Sequence, residues 1–223
     1  MESVVTRFVV VTGTDTGVGK TFVTEALALA LARDREVVAI KPLESGLDAE
    51  DGDGERLAAA TGQAEPRHAL VRLRAPLAPA LAADREGRTI DFDALVREIR
   101  AHAAGKDVAL VEGAGGVLAP LTWDHDAVSL ARALGAGVVL VAADRLGTIS
   151  LSHAAAHVLA AAGVAPIAIV LSAPAIPDAS TGSNAAALVR RLAVPADRVL
   201  EVTRTEVADA SRQLAPLARR LAG

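Results

Sequence analysis

The residues best suited to chemistry lie in the stretch Gly13-Thr14-Asp15-Thr16-Gly17-Val18-Gly19-Lys20-Thr21. A β-branched run at 8–11 precedes it, and a segment with helical apolar spacing, 22–33, follows it. Small residues between a strand and a helix let backbone N–H groups surround an anion, and the free amides at the helix start add to that attraction. Lys20 supplies a mobile cation and Thr21 a hydroxyl for Mg²⁺. The stretch therefore predicts a phosphate-binding loop.

The entrance of this loop is a variant of the usual pattern. Thr14 stands where the first glycine of the pattern is expected, whereas the core Gly19-Lys20-Thr21 is intact. The alternative is a glycine-rich strand-to-helix turn with an incidental Lys-Thr pair. The order of strand, loop, Gly-Lys-Thr and helix favours phosphate binding.

Further charged residues follow other predicted strands. Lys41 follows 36–40, and Glu112 follows 108–111. Mg²⁺ takes few protein oxygens and keeps several waters, so Thr21, Asp53 and Glu112 are predicted to hold it. Asp53 is also placed to cap a helix, and Glu112 is otherwise an exposed loop residue, so both alternatives stay open.

Lys41 is the more discriminating of these residues. A second lysine at a strand end beside a phosphate loop would hold a negatively charged acceptor or the phosphoryl group in transfer, because such transfer relies on positioning and charge stabilisation. The alternative is a surface lysine before the turn residue Pro42. Lys41 is therefore a predicted catalytic cation beside the phosphate-loop lysine, Lys20.

Alternating strands and helices must position these residues. Strands are predicted at 8–11, 36–40, 108–111, 138–142, 167–171 and, at a sheet edge, 199–202. Helices are predicted at 22–33, 54–61 with Asp53 as cap, 92–104 with Asp91 as cap, 126–134, 149–162, 183–192 and 206–221. Residues 48–54 are predicted to form a loop, and 62–89 irregular backbone. Strands that are apolar throughout indicate a parallel sheet covered on both faces, with ligands beyond its carboxyl ends.

The composition fits one α/β domain over residues 1–223. Apolar residues make up 52% of the chain and aromatic residues only 2%, so the core must consist of Ala, Val, Leu and Ile. The net charge of −4 without a Lys/Arg cluster predicts no nucleic-acid partner. The lack of Cys excludes disulfides, zinc–thiolate sites and thiol catalysis, and fits a reducing compartment.

The segment 146–177 contains no Asp, Glu, Lys or Arg, so a membrane helix is its alternative interpretation. Gly163 and Pro166 divide it, however, and this division favours a helix, a turn and a buried strand. Residues 1–11 lack the apolar length and cleavage site of a secretory signal. We therefore expect no membrane partner and a cytoplasmic location.

Four motifs together resemble the dethiobiotin synthetases of biotin biosynthesis, from Thr12 to about Gly163. They are the loop 13–21, Lys41-Pro42-Leu43-Glu44-Ser45-Gly46, Val111-Glu112-Gly113-Ala114-Gly115-Gly116 and Leu146-Gly147-Thr148-Ile149. The resemblance implies a P-loop NTPase-type, three-layer αβα fold and a homodimer. It also implies an ATP- and Mg²⁺-dependent ligase that closes the ureido ring of dethiobiotin from 7,8-diaminononanoate and CO₂. The substrate amine would capture CO₂ as a carbamate, ATP would phosphorylate it, and the second amine would displace phosphate.

The resemblance also implies roles for individual residues. Lys41 and Lys20 would be catalytic, and Thr21, Asp53 and Glu112 would hold the metal. The nucleotide would contact Gly17, Val18, Gly19, Lys20, Thr21, Phe22, Asp53, Glu112, Gly113, Ala114, Gly115 and Ser172. The diamine or carbamate would contact Thr16, Lys41 and Ser45, and backbone amides at Gly147, Thr148, Ile149 and Ser150 would bind the substrate carboxylate across the dimer.

The sequence departs from the family pattern at three places. Ser150-Leu151 replaces Asn-His, Ser172 replaces an Asn that reads adenine, and 200–203 replaces a Gly-x-Ile-Pro-like segment beside the base. The two base-side changes leave the nucleotide preference open, and a catalytically inactive relative also stays open.

Two other classes share the loop. A MinD/ParA-type partition ATPase would carry a signature lysine at the position of Asp15 and a basic or amphipathic targeting surface. An amidoligase of the cobyrinic acid diamide synthase type would need a Cys nucleophile, which the chain lacks.

Overall fold

A six-stranded parallel sheet forms the centre of the computed structural model, which describes residues 5–47 and 52–223. In chain order the strands are β1 (Arg7–Gly13), β2 (Val37–Ile40), β3 (Leu43–Ser45), β4 (Val71–Leu73), β5 (Val108–Gly116), β6 (Gly137–Ala143), β7 (Pro166–Ser172) and β8 (Val199–Val202). The main sheet has the order β2-β5-β1-β6-β7-β8, and β3 pairs with β4 in a separate parallel pair. β8 is therefore an edge strand, as predicted.

Helices cover both faces of this sheet. They are α1 (Lys20–Leu31), α2 (Asp53–Thr61), α3 (Pro79–Arg85), α4 (Phe92–Ala103), α5 (Ala127–Leu134), α6 (Thr148–Ala161), α7 (Asn184–Leu192), α8 (Val207–Gln213) and α9 (Ala215–Ala222). One hydrophobic core lies between the sheet and α1, α2, α8 and α9, and the other between the sheet and α4 to α7. The predicted three-layer αβα fold is confirmed.

The central strands read as continuous apolar runs because both of their faces are buried. Val9, Val10 and Val11 are fully buried in β1, which pairs with β5 on one side and β6 on the other. The side chains that fill both cores are almost all Val, Leu, Ile and Ala, as the composition requires. This arrangement brings the carboxyl ends of β2, β5, β1 and β6 side by side.

β5 and the predicted C-terminal helix differ from the sequence prediction. β5 continues through 112–116 and pairs Gly116 with Gly13 after a shift in register, so Glu112 lies inside the strand instead of after it. The predicted helix 206–221 is two helices, because Pro216 lies in the first turn of α9. Proline lacks an N–H group and its ring clashes with the preceding helical turn, so one continuous helix would be strained there.

The predicted irregular region 62–89 contains β4 and α3. Strands of three residues and a helix of seven residues are too short to produce a clear periodic pattern, and the same holds for β3. Residues 48–51 of the predicted loop lie outside the described residues. The uncharged segment 146–177 forms α6, a turn and β7, as predicted. Among the described residues, no helix has the length and hydropathy needed to cross the bilayer.

Candidate active site

The loop between β1 and α1 has the backbone shape that an anion site requires. Gly17 and Gly19 adopt left-handed φ angles of 74° and 97°, which residues with side chains rarely adopt. Gly19 directly precedes α1, and a methyl group on it would lie 2.6 Å from Oγ of Ser172. The loop therefore needs glycine at position 19 for its conformation and for its close approach to β7.

The side chain of the loop lysine, Lys20, is bonded to the loop backbone. Nζ of Lys20 donates to the carbonyl of Asp15 at 3.0 Å, and the side chain is buried. Burial lowers the pKa of Lys20, and the positive charge of Lys41 lowers it further. Val18 is buried in the core of the α1 face, so only its backbone is available to a phosphate.

The second lysine lies between two carboxylates. Nζ of Lys41 lies 2.6 Å from Oε1 of Glu112 and 2.7 Å from Oδ2 of Asp53, and it donates to the carbonyl of Gly113 at 3.4 Å. Burial alone would lower the pKa of Lys41, but Glu112 and Asp53 outweigh it and raise that pKa above its ordinary value. The pKa of Asp53 is lowered despite its burial, chiefly by Lys41. Lys41 is therefore a buried, fully charged ammonium.

The oxygens around Thr21 fit a divalent cation. Its hydroxyl lies 2.9 Å from Oδ1 of Asp53 and 2.8 Å from Oε1 of Glu112, although its single proton serves only one of them at a time. Glu112 is fully buried, and within the described part of the chain its Oε2 has no hydrogen-bond partner. Mg²⁺ prefers hard oxygen ligands and needs few from protein, so these three side chains suit it.

Asp53 is not the helix cap that the sequence predicts. It is the first residue of α2, whose N-cap is Gly52, and its backbone N–H donates to Oε1 of Glu44. The Asp53 carboxylate points instead to Thr21 and Lys41. The Asp53 carboxylate is thus not used as a helix cap, and its role in metal binding stays a prediction.

These groups open into a cavity of about 700 Å³. Most predicted nucleotide and substrate residues line it: Thr16, Gly17, Gly19, Lys20, Thr21, Phe22, Lys41, Ser45, Asp53, Glu112, Ala114 and Gly115. The opposite wall consists of the segment 76–79 before and at the start of α3, and Oγ of Ser45 donates to the carbonyl of Leu77 in that wall at 2.6 Å. Arg56 and Arg204 lie on the rim. The cavity therefore combines a phosphate loop, two lysines and three carboxylates, those of Glu44, Asp53 and Glu112, with room for a second ligand.

Comparison with known proteins identifies the family. A family model described as an AAA domain matches residues 7–209. The ATP-dependent dethiobiotin synthetase BioD of Anaeromyxobacter sp. (strain Fw109-5) is 46% identical over 189 residues, which cover 82% of this chain and 85% of that protein. The enzyme of the same name from Nitrosospira multiformis is 42% identical over 193 residues, covering 83% and 84%. This chain belongs to the dethiobiotin synthetase family.

Solved structures confirm the P-loop fold of this synthetase family member. The septum site-determining protein MinD from Pyrococcus horikoshii, complexed with Mg-ADP, superposes with a TM-score of 0.58 at 17% identity and covers 98% of each chain. A ParA family ATPase from Chlorobium tepidum gives a TM-score of 0.56 at 14% identity, with 99% and 97% coverage. At these identities the likeness concerns the fold alone.

Two groups of predicted residues lie apart from the cavity of the synthetase. Ser172 is buried against Gly19, and its hydroxyl has no partner among the residues described. Gly147, with φ 94°, is the N-cap of α6, and Thr148, Ile149 and Ser150 form the first turn. Thr148 is buried and Ser150 exposed. The start of α6 therefore offers main-chain amides but does not line the phosphate cavity.

An aspartate absent from the sequence prediction fixes the start of α6. Oδ2 of Asp178 accepts the backbone N–H of Leu146 at 2.8 Å, and its Oδ1 accepts the N–H and hydroxyl of Ser180. These donors, the Leu146 amide first, lower the pKa of Asp178 to about 2. Residues Asp178-Ala179-Ser180 resemble an Asx turn, which is the one sequence signal that was available.

Glu44 is a second residue that sequence reasoning missed. It stands within the motif Lys41 to Gly46 but was assigned no role there. The structure buries it at the start of α2, nine residues along the chain from its partner Asp53. A Glu at this place in the motif is a weak signal, because the sequence does not show that the side chain will be buried or which helix it will meet.

Proposed function

We propose that this chain converts 7,8-diaminononanoate, CO₂ and ATP to dethiobiotin, ADP and phosphate. The observation that carries the proposal is Lys41, a buried ammonium held by Asp53 and Glu112 beside the phosphate loop. A loop that only hydrolysed or sensed a nucleotide would have no need for a second buried cation. Membership of the synthetase family supports the same activity, since the relatives carry that name.

The nucleotide is proposed to lie with its phosphates on the loop. The backbone amides from Gly17 to Phe22 would surround the phosphates, and Lys20 would exchange the Asp15 carbonyl for a phosphate oxygen. Phe22 and the β5 residues 113–115 would border the same ligand. By the family resemblance, Ser172 would stand where an Asn reads the base.

Mg²⁺ would be held by the oxygens of Thr21, Asp53 and Glu112. When bound, it would neutralise charge between the β- and γ-phosphates. A solved neighbour of the same fold contains Mg-ADP, which supports a divalent metal in this fold. Thr21 would turn its hydroxyl proton toward a carboxylate and present its lone pairs to the cation.

The proposed chemistry has three steps. One amine attacks CO₂, forms an N–C bond and loses a proton, which gives a carbamate. A carbamate oxygen attacks the γ-phosphorus and ADP leaves, which gives a carbamic–phosphoric anhydride. The second amine then attacks the carbamate carbon, phosphate leaves, and the ureido ring closes. Lys41 and Lys20 would offset negative charge on the carbamate and the phosphoryl group, which is the main task in phosphoryl transfer.

The diamine would extend from the cavity toward a second subunit. Thr16 and Ser45 line the cavity. The amides of residues 147–150 would bind the carboxylate of the diamine across a homodimer, and the Thr148 amide would exchange for it the Arg145 carbonyl to which it donates at 3.1 Å. Exposed apolar side chains in the loops after β5 and β6 suit such an interface: Leu118 is 61% exposed, Trp123 63% and Leu146 81%. A cytoplasmic location belongs to the same proposal, because free ATP is the cosubstrate.

The test measures phosphate released from MgATP in bicarbonate buffer, with and without 7,8-diaminononanoate, and the mass of the product. We expect release that depends on the diamine, together with a mass gain of CO₂ less water. Phosphate release at the same rate with and without the diamine would contradict the proposal and would indicate a different acceptor. Replacing ATP by other triphosphates in the same assay measures the base preference.

A further inference from the structure

We propose that Glu44 is a positioning residue that keeps the Asp53 carboxylate directed at Thr21 and Lys41. The inference rests on the proposed function, in which Asp53 serves the metal. Glu44 itself touches neither of the two partners of that carboxylate in any hydrogen bond of the structure's described residues. Its effect is transmitted through the backbone of Asp53.

An aspartate at the start of α2 has two competing uses for its carboxylate. The first amides of a helix have no acceptor within the helix, and an Asp at a helix start commonly turns its own carboxylate onto them. The sequence predicts this behaviour for Asp53. A carboxylate used in that way would be lost to Thr21 and Lys41.

Glu44 removes the competition by supplying the acceptor from outside the helix. It lies on β3, it is 7% exposed, and its Oε1 accepts the backbone N–H of Asp53. The N-cap position itself is Gly52, which has no side chain to act as a cap. A methyl group on Gly52 would lie 2.8 Å from both carboxylate oxygens of Glu44 and equally close to Oε2 of Glu55. The backbone at the start of α2 is therefore pressed against this carboxylate.

With its amide satisfied, Asp53 directs both of its oxygens into the site. Oδ1 lies 2.9 Å from the Thr21 hydroxyl, and Oδ2 lies 2.7 Å from Nζ of Lys41. Without Glu44, the Asp53 carboxylate becomes an acceptor for the helix amides, beside that of Glu55, whose Oε2 also lies close to Gly52. Rotation onto those amides would break both contacts at once.

The experiment compares the affinity for ADP with and without Mg²⁺ by calorimetry in Glu44→Ala and Glu44→Gln. Glu44→Ala should weaken the Mg²⁺-dependent part of binding about 10- to 100-fold, as removal of outer-shell partners of metal ligands does, and leave binding without Mg²⁺ unchanged. Glu44→Gln keeps an acceptor oxygen without the charge and should restore the affinity. An equal loss in Glu44→Gln would overturn the inference, because it would assign the effect to charge.

Two further variants separate positioning from general stability. Asp91→Ala removes the side-chain cap of α4, where the carboxylate accepts the Ala94 amide at 2.8 Å. It should lower stability without changing the Mg²⁺ effect. Gly52→Ala keeps Glu44 but displaces its carboxylate, so it should reproduce the loss even if Glu44→Ala does not fold. Normal Mg²⁺ affinity in folded Gly52→Ala would overturn the inference.

Combining substitutions of Glu44 and Asp53 distinguishes a failure of this inference from a failure of the proposed function. Asp53→Ala should lower the Mg²⁺ affinity, and adding Glu44→Ala to it should cause no further loss. An unchanged affinity in Asp53→Ala would contradict the proposed metal role. Two results would overturn the inference but leave the proposed metal role standing. In the first, Asp53→Ala lowers the Mg²⁺ affinity and Glu44→Ala does not. In the second, Glu44→Ala causes its full loss of Mg²⁺ affinity even when Asp53→Ala is already present.

Discussion

The charged cluster of Lys41, Asp53 and Glu112 forms one corner of the cavity. This corner and the start of α6 are built in opposite ways, although both are proposed to bind negative charge. At the corner, buried Lys41 and Glu112 and partly buried Asp53 are bonded to one another: Lys41 contacts both carboxylates within 2.7 Å. At the start of α6, main-chain amides follow an exposed turn whose position depends on the exposed Asp178.

The difference follows from the cost of burying charge. A buried charge is tolerated only when it is paired, so each side chain of the corner fixes the position of the next. Backbone amides carry no net charge and can remain at the surface until a ligand or a neighbouring subunit covers them. We therefore expect a rigid corner that is sensitive to any single change, and an α6 start that tolerates change.

Replacement of Lys41 should give the largest effect. Lys41→Ala removes the cation that stabilises the transferring group and leaves Asp53 and Glu112 unpaired, so kcat should fall about 100- to 1,000-fold. The free energy of unfolding should fall by about 3 kcal/mol. Kinetics of diamine-dependent phosphate release and a denaturant titration measure the two effects. Lys106→Ala, which breaks only the exposed pair with Glu36, is the control and should change neither; normal turnover in folded Lys41→Ala would contradict the mechanism.

Replacement of Gly19 should give the next largest effect, since the phosphate loop approaches buried Ser172 of β7 closely at this residue. Gly19→Ala forces a side chain into φ 97° and places it 2.6 Å from Ser172, so ADP affinity should fall about 10-fold. Calorimetry measures the loss. Gly62→Ala has a similar φ of 69° in open space, so it controls for backbone strain. Ser172→Gly should restore part of the affinity, and no restoration would show that contact with Ser172 is unimportant.

Replacement of Asp178 should give a smaller effect that is confined to one substrate. Asp178→Ala releases the Leu146 amide, so the KM for the diamine should rise less than about tenfold, because exposed interactions contribute little. The kcat and the KM for ATP should stay unchanged. Steady-state kinetics with each substrate varied in turn measures this. A fall in kcat as large as that of Lys41→Ala would break the contrast between the two regions.

The smallest expected effect is the pH response of Asp178. Its pKa is about 2, below the ordinary 3.8, so it binds its proton less readily when folded than when unfolded. Its contribution to stability is therefore present above pH 3.8 and is lost as the pH falls toward 2. NMR titration of the side-chain carboxyl carbon measures the pKa. Ser180→Ala removes one donor and should raise it, whereas titration near 4 in the unchanged chain would contradict the assigned hydrogen bonds.

The sequence predicted the parts of the site that depend on local order. The loop 13–21, Lys41 and Glu112 each adjoin an apolar strand, and parallel strands bring their carboxyl ends together, so the convergence followed from the pattern. The fold was predictable for the same reason, because long apolar strands alternate with helices. That residues 1–223 form one domain, and the role of each site residue, stay predictions.

The sequence did not predict features that depend on non-local contact. The backbone N–H of Asp53 donates to Glu44, which reaches it from β3, and nothing in the local sequence around Asp53 indicates this partner. Glycines 113, 115 and 116 indicated a loop, yet β5 continues through them to Gly116, which pairs with Gly13 of β1. Pro216 was available as a signal for the break between α8 and α9, but the apolar spacing on both sides of it favoured one helix.

The hydrogen bond between Trp123 and α3 gives the chain a built-in spectroscopic reporter. Nε1 of Trp123 donates to Oδ2 of Asp84 at 2.8 Å, and the start of the same helix, at Pro79, borders the cavity. The chain contains one Trp and no Tyr, so its near-ultraviolet absorption and emission arise essentially from this single indole. A shift in emission on adding ligand, or on raising the protein concentration, would therefore report on this face of the molecule alone, without any label.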